Sequence, residues 1–448
     1  MKVAILVPRR AGNPQRDRLW RWCRARWGRL HPTWPICEGH HNHGPFSAAA
    51  ARNEAARLAG AWDVAVIADA DVFIEPELIT AAVERAAETG HPVWPFEAWQ
   101  GLTRAASERV LVGAAPPDLA SVEEVVPDSW AGAFAVPRAA WEALGGYDER
   151  FRGWGWEDVA FAHAAHALVG GERLAGSAWH LWHPRSPERN PKDPGYRANR
   201  ALGERYLAAL RSGSREPIET LLAEARAVRT GVTAIALTNG RREYCEQAID
   251  SFEANVSGNV IRRRIFDDSG RPAHRAWLRA RFPAWRVIGY RGNVGYTRAM
   301  AAIWRYIAAR PGGYGFLLEE DFTFNGPVEL SAMAAILDAD PNLVQVSLLR
   351  QAWFAPEVAV GGIIQRDPAA YTPRRLNGYA WLEHRKFWTG NPSLFRRSLC
   401  ETPWPNAHGS ERVYGERLFA DPALHGAILG HGEQLVTHIG AQRTGRGY

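Results

Sequence analysis

Val64-Ala-Val-Ile-Ala-Asp-Ala-Asp71 is an apolar run that closes on two aspartates. Its unbroken apolar character, without polar alternation, reads as a strand buried on both faces, as in a parallel sheet covered by helices. Ligands of such sheets bind beyond the carboxyl ends of the strands, where Asp69 and Asp71 fall. A carboxylate pair there offers hard oxygen ligands to a divalent cation such as Mg²⁺ or Mn²⁺. Two later stretches complete the pattern. Gly145 to Asp158 reads G-G-Y-D-E-R-F-R-G-W-G-W-E-D, a Trp/Gly-rich loop ending in carboxylates suited to taking a proton. His180-Leu-Trp-His183 supplies two imidazoles that can complete a metal shell. Together these stretches suggest metal-assisted transfer of a group carried on a diphosphate.

Working outward, residues 2–7 have a buried-strand pattern, residues 16–30 form an Arg/Trp-rich amphipathic stretch, and residues 35–38 read as a second short strand. Residues 46–58 are an alanine-rich helix preceded by Gly44-Pro45, and a further helix is expected over 76–87. Strands alternating with helices argue for an α/β sheet. The signal breaks near Arg211-Ser-Gly-Ser-Arg215, and a charged helix over 216–228 suits a connection between domains. The alternation restarts at residues 232–237, with a helix over 242–254, strands over 264–268 and 285–290, and a helix through Ile307. Tyr314-Gly-Phe-Leu-Leu318 then runs into Glu319-Glu-Asp321 and repeats the order of the first half. The expected organisation is two α/β domains, each a mostly parallel sheet flanked by helices: residues 1–212, a linker helix over 213–230, and residues 231–448.

Composition bounds the function. The 448 residues are 46% hydrophobic and 23% charged, which is ordinary globular material able to bury two cores. The net charge of +6 is carried almost wholly by dispersed arginines, since lysine occurs only at Lys2, Lys192 and Lys386. With no basic block and no recognition motif, a nucleic-acid partner is not expected. Cys23, Cys37, Cys245 and Cys400 are scattered and read as reduced thiols. The apolar start is too short for a signal peptide and no stretch reaches membrane-spanning length, so a cytoplasmic protein is expected.

Six pieces of the first half carry a family resemblance: V-P-R-R (Val7 to Arg10), A-R-N (Ala51 to Asn53), D-A-D (Asp69 to Asp71), G-G-Y-D (Gly145 to Asp148), G-W-G-W-E-D (Gly153 to Asp158) and H-L-W-H-P (His180 to Pro184). Over residues 1–205 the chain resembles the GT-A, family 2-like glycosyltransferases, specifically the galactosyltransferase-type domain of chondroitin-polymerase and β4-galactosyltransferase enzymes. The resemblance implies two GT-A-like domains, the second more divergent. It also implies an inverting hexosyl transfer from a nucleotide-diphosphate sugar, with a UDP-sugar favoured, and Mn²⁺ or Mg²⁺ as cofactor. The acceptor would be a glycan or protein hydroxyl.

Carried over, Asp71 is the main metal ligand and Asp69 reaches the ribose or the metal. His183 completes the shell, with His180 as a second imidazole ligand. Asp158 is the general base, and Glu157 holds the acceptor sugar. Pro8, Arg9, Arg10, Arg52 and Asn53 lie at the nucleotide. Glu38 stands near the place where the family puts an aspartate on the uracil. Trp154 and Trp156 are suited to stacking on sugar faces. His163 and His166 read instead as packed or surface residues of a helix.

In the second half, Asp268, the Asn293–Gly295 loop, and Glu319 with Asp321 occupy the places of the nucleotide acid, the ribose-side loop and the aspartate pair. Glu411 falls at the base position and His438 at that of the late histidine, and Thr389-Gly-Asn-Pro392 is a candidate lining for the acceptor pocket. The alternatives are a single active N-terminal transferase with a non-catalytic, acceptor-binding C-terminal domain, a sugar-binding module on an inactive transferase fold, and a sugar nucleotidyltransferase. The last is opposed by the lack of a G-x-G-T-R loop near the start.

Overall fold

A computed structural model describes residues 1–42, 45–114, 117–376, 378–430 and 432–440. The chain divides into two compact units, Met1–Arg229 and Thr230–Tyr448.

In the first unit the strand Val3–Arg9 lies between Ile36–His40 and Val64–Ala68, parallel to both. Val64–Ala68 is buried at every position, which explains its lack of alternation. Beyond it the sheet becomes mixed. Ala133–Pro137 pairs antiparallel with Val64–Ala68, followed by Val93–Trp94 and Glu172–Arg173. The helix Ala48–Leu58 starts at Ser47, whose side chain accepts from the Ala50 amide. It packs unusually close to the sheet: a Cβ on Gly39 would lie 1.8 Å from the Ala51 carbonyl oxygen. That approach puts Arg52, the residue after Ala51, beneath the ends of the strands.

A second, four-stranded sheet joins Val72–Phe73, Ser177–His180, Ala98–Leu102 and Val122–Pro127. Here Val72 pairs with His180, so the residue after Asp71 is locked to the first histidine.

The expected linker helix is instead part of the first unit. Glu216–Arg229 buries Ile218 and Leu221 in that unit's core. Its Glu224 pairs with Arg150, and Arg150 Nη2 donates to the Leu221 carbonyl at 3.1 Å. Although the helix is charged, Ile218, Leu221 and Ala225 share one face and give it a core-facing stripe. A fragment ending at Arg229 is therefore expected to melt at a higher temperature than one ending at Gly213, which lacks this helix. Equal melting temperatures in calorimetry would show that the helix adds no stability.

The second unit is built on a nine-stranded mixed sheet. Val232–Thr238 pairs in parallel with Val260–Asp267 and Tyr314–Glu319, and Ser393–Arg396 then pairs antiparallel with the last of these. This repeats the first unit's succession of parallel neighbours followed by an antiparallel strand. The short pairing repeats as well: Phe322, after Asp321, pairs with His438. Among the described residues no helix is long and apolar enough to cross a membrane. The four cysteines are free; Cys23, Cys245 and Cys400 are buried and Cys37 is half-buried.

Candidate active site

In the first unit Asp71, His180 and His183 converge, with ligand atoms all within 4.8 Å of one another. His183 Nε2 is 3.2 Å from Asp71 Oδ2, and His180 Nε2 is 3.6 Å from Oδ1. At its other nitrogen, Nδ1, His183 meets the Pro184 carbonyl at 2.8 Å and the Arg16 guanidinium at 3.3 Å. Burial, outweighing the pull of Asp71, lowers the His180 imidazole to about 4, so it is neutral. Burial acts to raise the Asp71 carboxyl, but His180, His183 and Arg16 hold it well below the usual range. One carboxylate and two imidazoles form a donor set that fits a divalent cation.

Asp69 does not join this set. Arg52, buried beneath the strand ends, holds its carboxylate at 2.7 Å. The same guanidinium lies 2.8 Å from Asp158 and 3.5 Å from Glu157. Asp158 also accepts from the Tyr147 hydroxyl at 3.1 Å. Burial, opposed by Arg52 and reinforced by Glu157 and Asp69, raises the Asp158 carboxyl well above its ordinary value. Burial raises Glu157 too. The two aspartates of Asp-Ala-Asp thus face different partners, one the metal-type set and the other a buried arginine–carboxylate cluster that contains the expected base.

Trp156 has φ +79°, a left-handed conformation unusual for a bulky residue, and directly precedes the helix Glu157–Leu168. Its ring lies against Gly203, where a Cβ would come within 2.3 Å, so it packs on the helix Pro194–Arg211. Trp154 is exposed and stacks on Tyr196. Asn199 clamps the loop between them, accepting from the Arg152 amide at 3.1 Å and donating to the Trp154 carbonyl at 3.2 Å.

Asn53 is spent on structure: its amide donates to the Tyr147 carbonyl at 2.9 Å and to Glu149 at 3.0 Å. Pro8 sits in the strand Val3–Arg9, in register with Gly39. Arg9 pairs with Asp17 and Glu38 at 2.5 and 3.1 Å, and Arg24 reaches Glu38 at 3.3 Å. Arg10 donates to the His41 carbonyl at 2.9 Å. His166 stacks on Trp94, and His163, beside it on the helix, is half-buried. Sequence reasoning passed over Arg16 and Tyr147. Tyr147 lay in view within G-G-Y-D, whereas nothing local marks Arg16, whose contacts are made across the chain.

In the second unit the acids separate in the same way. Asp321 Oδ2 is 3.9 Å from His438 Nε2, but Arg241 already holds that carboxylate at 2.7 Å. Arg241 also binds Glu320 at 2.6 Å. Glu319 does not complete a metal set with them. It faces Glu411, whose Oε2 accepts from the Tyr296 hydroxyl at 2.9 Å. Gly390 permits this cluster, since a Cβ there would lie 2.7 Å from Glu319 Oε1 and 3.2 Å from Glu411 Oε2. A small cleft is lined by Leu237, Thr238, Asn239, Asp268, Tyr296 and Glu319. Asp268 accepts from the Val294 and Gly295 amides at 2.6 and 3.0 Å, and Asn293 donates to the Asp268 carbonyl at 2.7 Å. The three predicted nucleotide-loop residues therefore meet.

Burial, aided by Glu411 and Asp321, pushes the Glu319 carboxyl well up, and burial raises Glu411 as well. With folded values above the unfolded value near about 4.3, the folded chain binds more protons over that interval. Stability contributed by these groups is present at low pH and is lost as pH rises through it. Glu411→Gln is therefore expected to stabilise the second unit more at pH 8 than at pH 5. Urea denaturation at pH 5 and 8 measures this. An unchanged pH slope in the variant would contradict it.

Residues 122–178 match the family described as the N-terminal domain of galactosyltransferase. The matched segment contains Tyr147, Glu157 and Asp158 and stops short of His180. No curated protein matches the chain. Among solved structures the chain is similar to one described as GalNAc-T7 with UDP, GalNAc and Mn²⁺, with 9% identity and a TM-score of 0.35. That similarity covers 47% of this chain and 44% of the other, so less than half of that protein is spanned. The galactosyltransferase-type match thus lies on the segment of the first unit that carries Asp158, downstream of the strand Val64–Ala68 that leads into Asp69 and Asp71.

Proposed function

We propose that the first unit transfers a sugar from a nucleotide-diphosphate donor, with a UDP-sugar favoured, to an acceptor hydroxyl, with inversion and with Mn²⁺ or Mg²⁺. The observation that carries this reading is the meeting of Asp71, His180 and His183 beside a second cluster holding Asp158. Asp71, His180 and His183 would hold the cation. When bound, the cation neutralises charge developing on the departing diphosphate.

Asp158 takes the acceptor proton on its carboxylate, its raised value bringing a carboxyl closer to operating pH. Tyr147 and Arg52 orient it. Glu157, at the same helix start, hydrogen-bonds the acceptor sugar. Exposed Trp154, stacked on Tyr196, offers an aromatic face to that sugar. The acceptor is a glycan or a protein hydroxyl.

The second unit is read as a further transferase site, which makes the chain bifunctional. What favours this is Glu411 at the start of the helix Ser410–Phe419, bonded to a tyrosine as Asp158 is. Arg241 already holds Asp321, so the described residues assemble no metal set there like that of the first unit.

The test is release of nucleoside diphosphate from a panel of nucleotide sugars with Mn²⁺ and hydroxyl acceptors. Acceptor-dependent release is expected with a UDP-sugar. No release from any donor would overturn the reading.

A further inference from the structure

Three side chains of the second unit, remote from each other in sequence, meet on the sheet edge opposite the cleft. Tyr314–Glu319 and Leu343–Leu348 both pair antiparallel with Ser393–Arg396, so they run the same way, and His425–Leu429 is parallel to Leu343–Leu348. Glu319 therefore ends its strand at one edge of the sheet, while His425 opens its strand at the other. There His425 Nε2 lies 2.9 Å from Asp340 Oδ2 and 3.6 Å from Glu383 Oε2. The three ligand atoms all fall within 4.8 Å of one another.

Neighbouring groups hold each of the three side chains in place. The Ala423 carbonyl lies 3.2 Å from His425 Nδ1, so a ring proton held there would free Nε2 for an ion shared with the carboxylates. The Asn342 amide donates to Asp340 Oδ1 at 2.8 Å, leaving Oδ2 for the shared centre. Arg374, half-exposed, holds both Glu383 oxygens, with Nε on Oε2 at 3.2 Å and Nη2 on Oε1 at 3.1 Å. A carboxylate retains lone pairs for a further partner in that arrangement. The side chains of His425, Glu383 and Asp340 are 15%, 19% and 35% exposed, so an ion can reach them from solvent.

We propose that Asp340, Glu383 and His425 form a second divalent-cation site, of the type that takes Zn²⁺. An imidazole nitrogen and carboxylate oxygens are ligand types zinc takes, with water completing its four positions. The bound ion staples the strand Tyr379–His384 to the start of His425–Leu429 and to the residue that ends the helix Leu330–Ala339. Its role is structural, and it is independent of the sugar-transfer reading of the first unit.

The test uses the full chain carrying His180→Ala and His183→Ala, which removes the imidazoles of the first set. Zn²⁺ content after equilibrium dialysis and the melting temperature are measured with and without Zn²⁺. The site predicts a bound Zn²⁺ in this background and a rise in melting temperature on adding it. Both should be lost when His425→Ala is added. Should that variant fail to fold, Glu383→Gln serves the same comparison, and its Zn²⁺ response should weaken. A Zn²⁺ content and thermal response that are indifferent to both changes, or no bound ion in the starting background, would overturn the site and leave an Asp340–His425 ion pair.

Discussion

Asp71→Asn is expected to lower sugar-transfer turnover by about 10²–10⁴-fold, because a catalytic cation contributes several kcal/mol and each decade in rate corresponds to about 1.4 kcal/mol. Asparagine keeps the shape of the side chain but removes the charge that His180, His183 and Arg16 stabilise. The variant should remain folded by circular dichroism, because the strand before it is held by Val64–Ala68 rather than by its terminal acid. Its residual rate should no longer respond to added Mn²⁺. Initial rates across a Mn²⁺ titration measure this, and a variant with wild-type turnover at saturating Mn²⁺ would remove Asp71 from the cation site.

The second large effect is expected at Asp158. An amide cannot take a proton from the acceptor, so Asp158→Asn should lose about 10²–10⁴-fold in turnover, the usual size for a general base. Tyr147 can still donate to the amide oxygen at this position, and the metal set is unchanged, so donor affinity should barely move. Rates paired with calorimetric donor binding distinguish the roles. Lost donor affinity with normal turnover would place Asp158 at the nucleotide instead.

Much of the scaffold was legible because its central strands are unbroken apolar runs. Val64–Ala68 and Tyr314–Glu319 end at the acids expected from sequence, and Val232–Thr238 begins where the pattern restarts. The meeting of Asp71 with two histidines about a hundred residues later rests on the Val72–His180 pairing, which spacing alone does not display. The divergence of Asp69 from Asp71 was not legible. It depends on Arg52 reaching under the sheet, which in turn depends on Gly39 letting a helix approach.

The same limit applies to Trp156, whose left-handed backbone turns it onto Gly203. It applies equally to Glu319, which is drawn toward Glu411 and Tyr296 by the close passage of Gly390. The helix Glu216–Arg229 reads as a connection between domains because its many charges outweigh a narrow apolar face in composition. Asp340, Glu383 and His425 carry no local signature at all, since strand register alone assembles them.

The most direct measurement is calorimetric titration of the intact chain with UDP and with UDP-sugars, in Mn²⁺ and again in EDTA, for the natural protein and for His183→Ala. Metal-assisted nucleotide-sugar transfer at the first unit predicts binding of a UDP-sugar that requires Mn²⁺ and weakens sharply without His183. Binding of equal strength in EDTA and in the variant would contradict it, because the diphosphate would then be held without the Asp71–His180–His183 set.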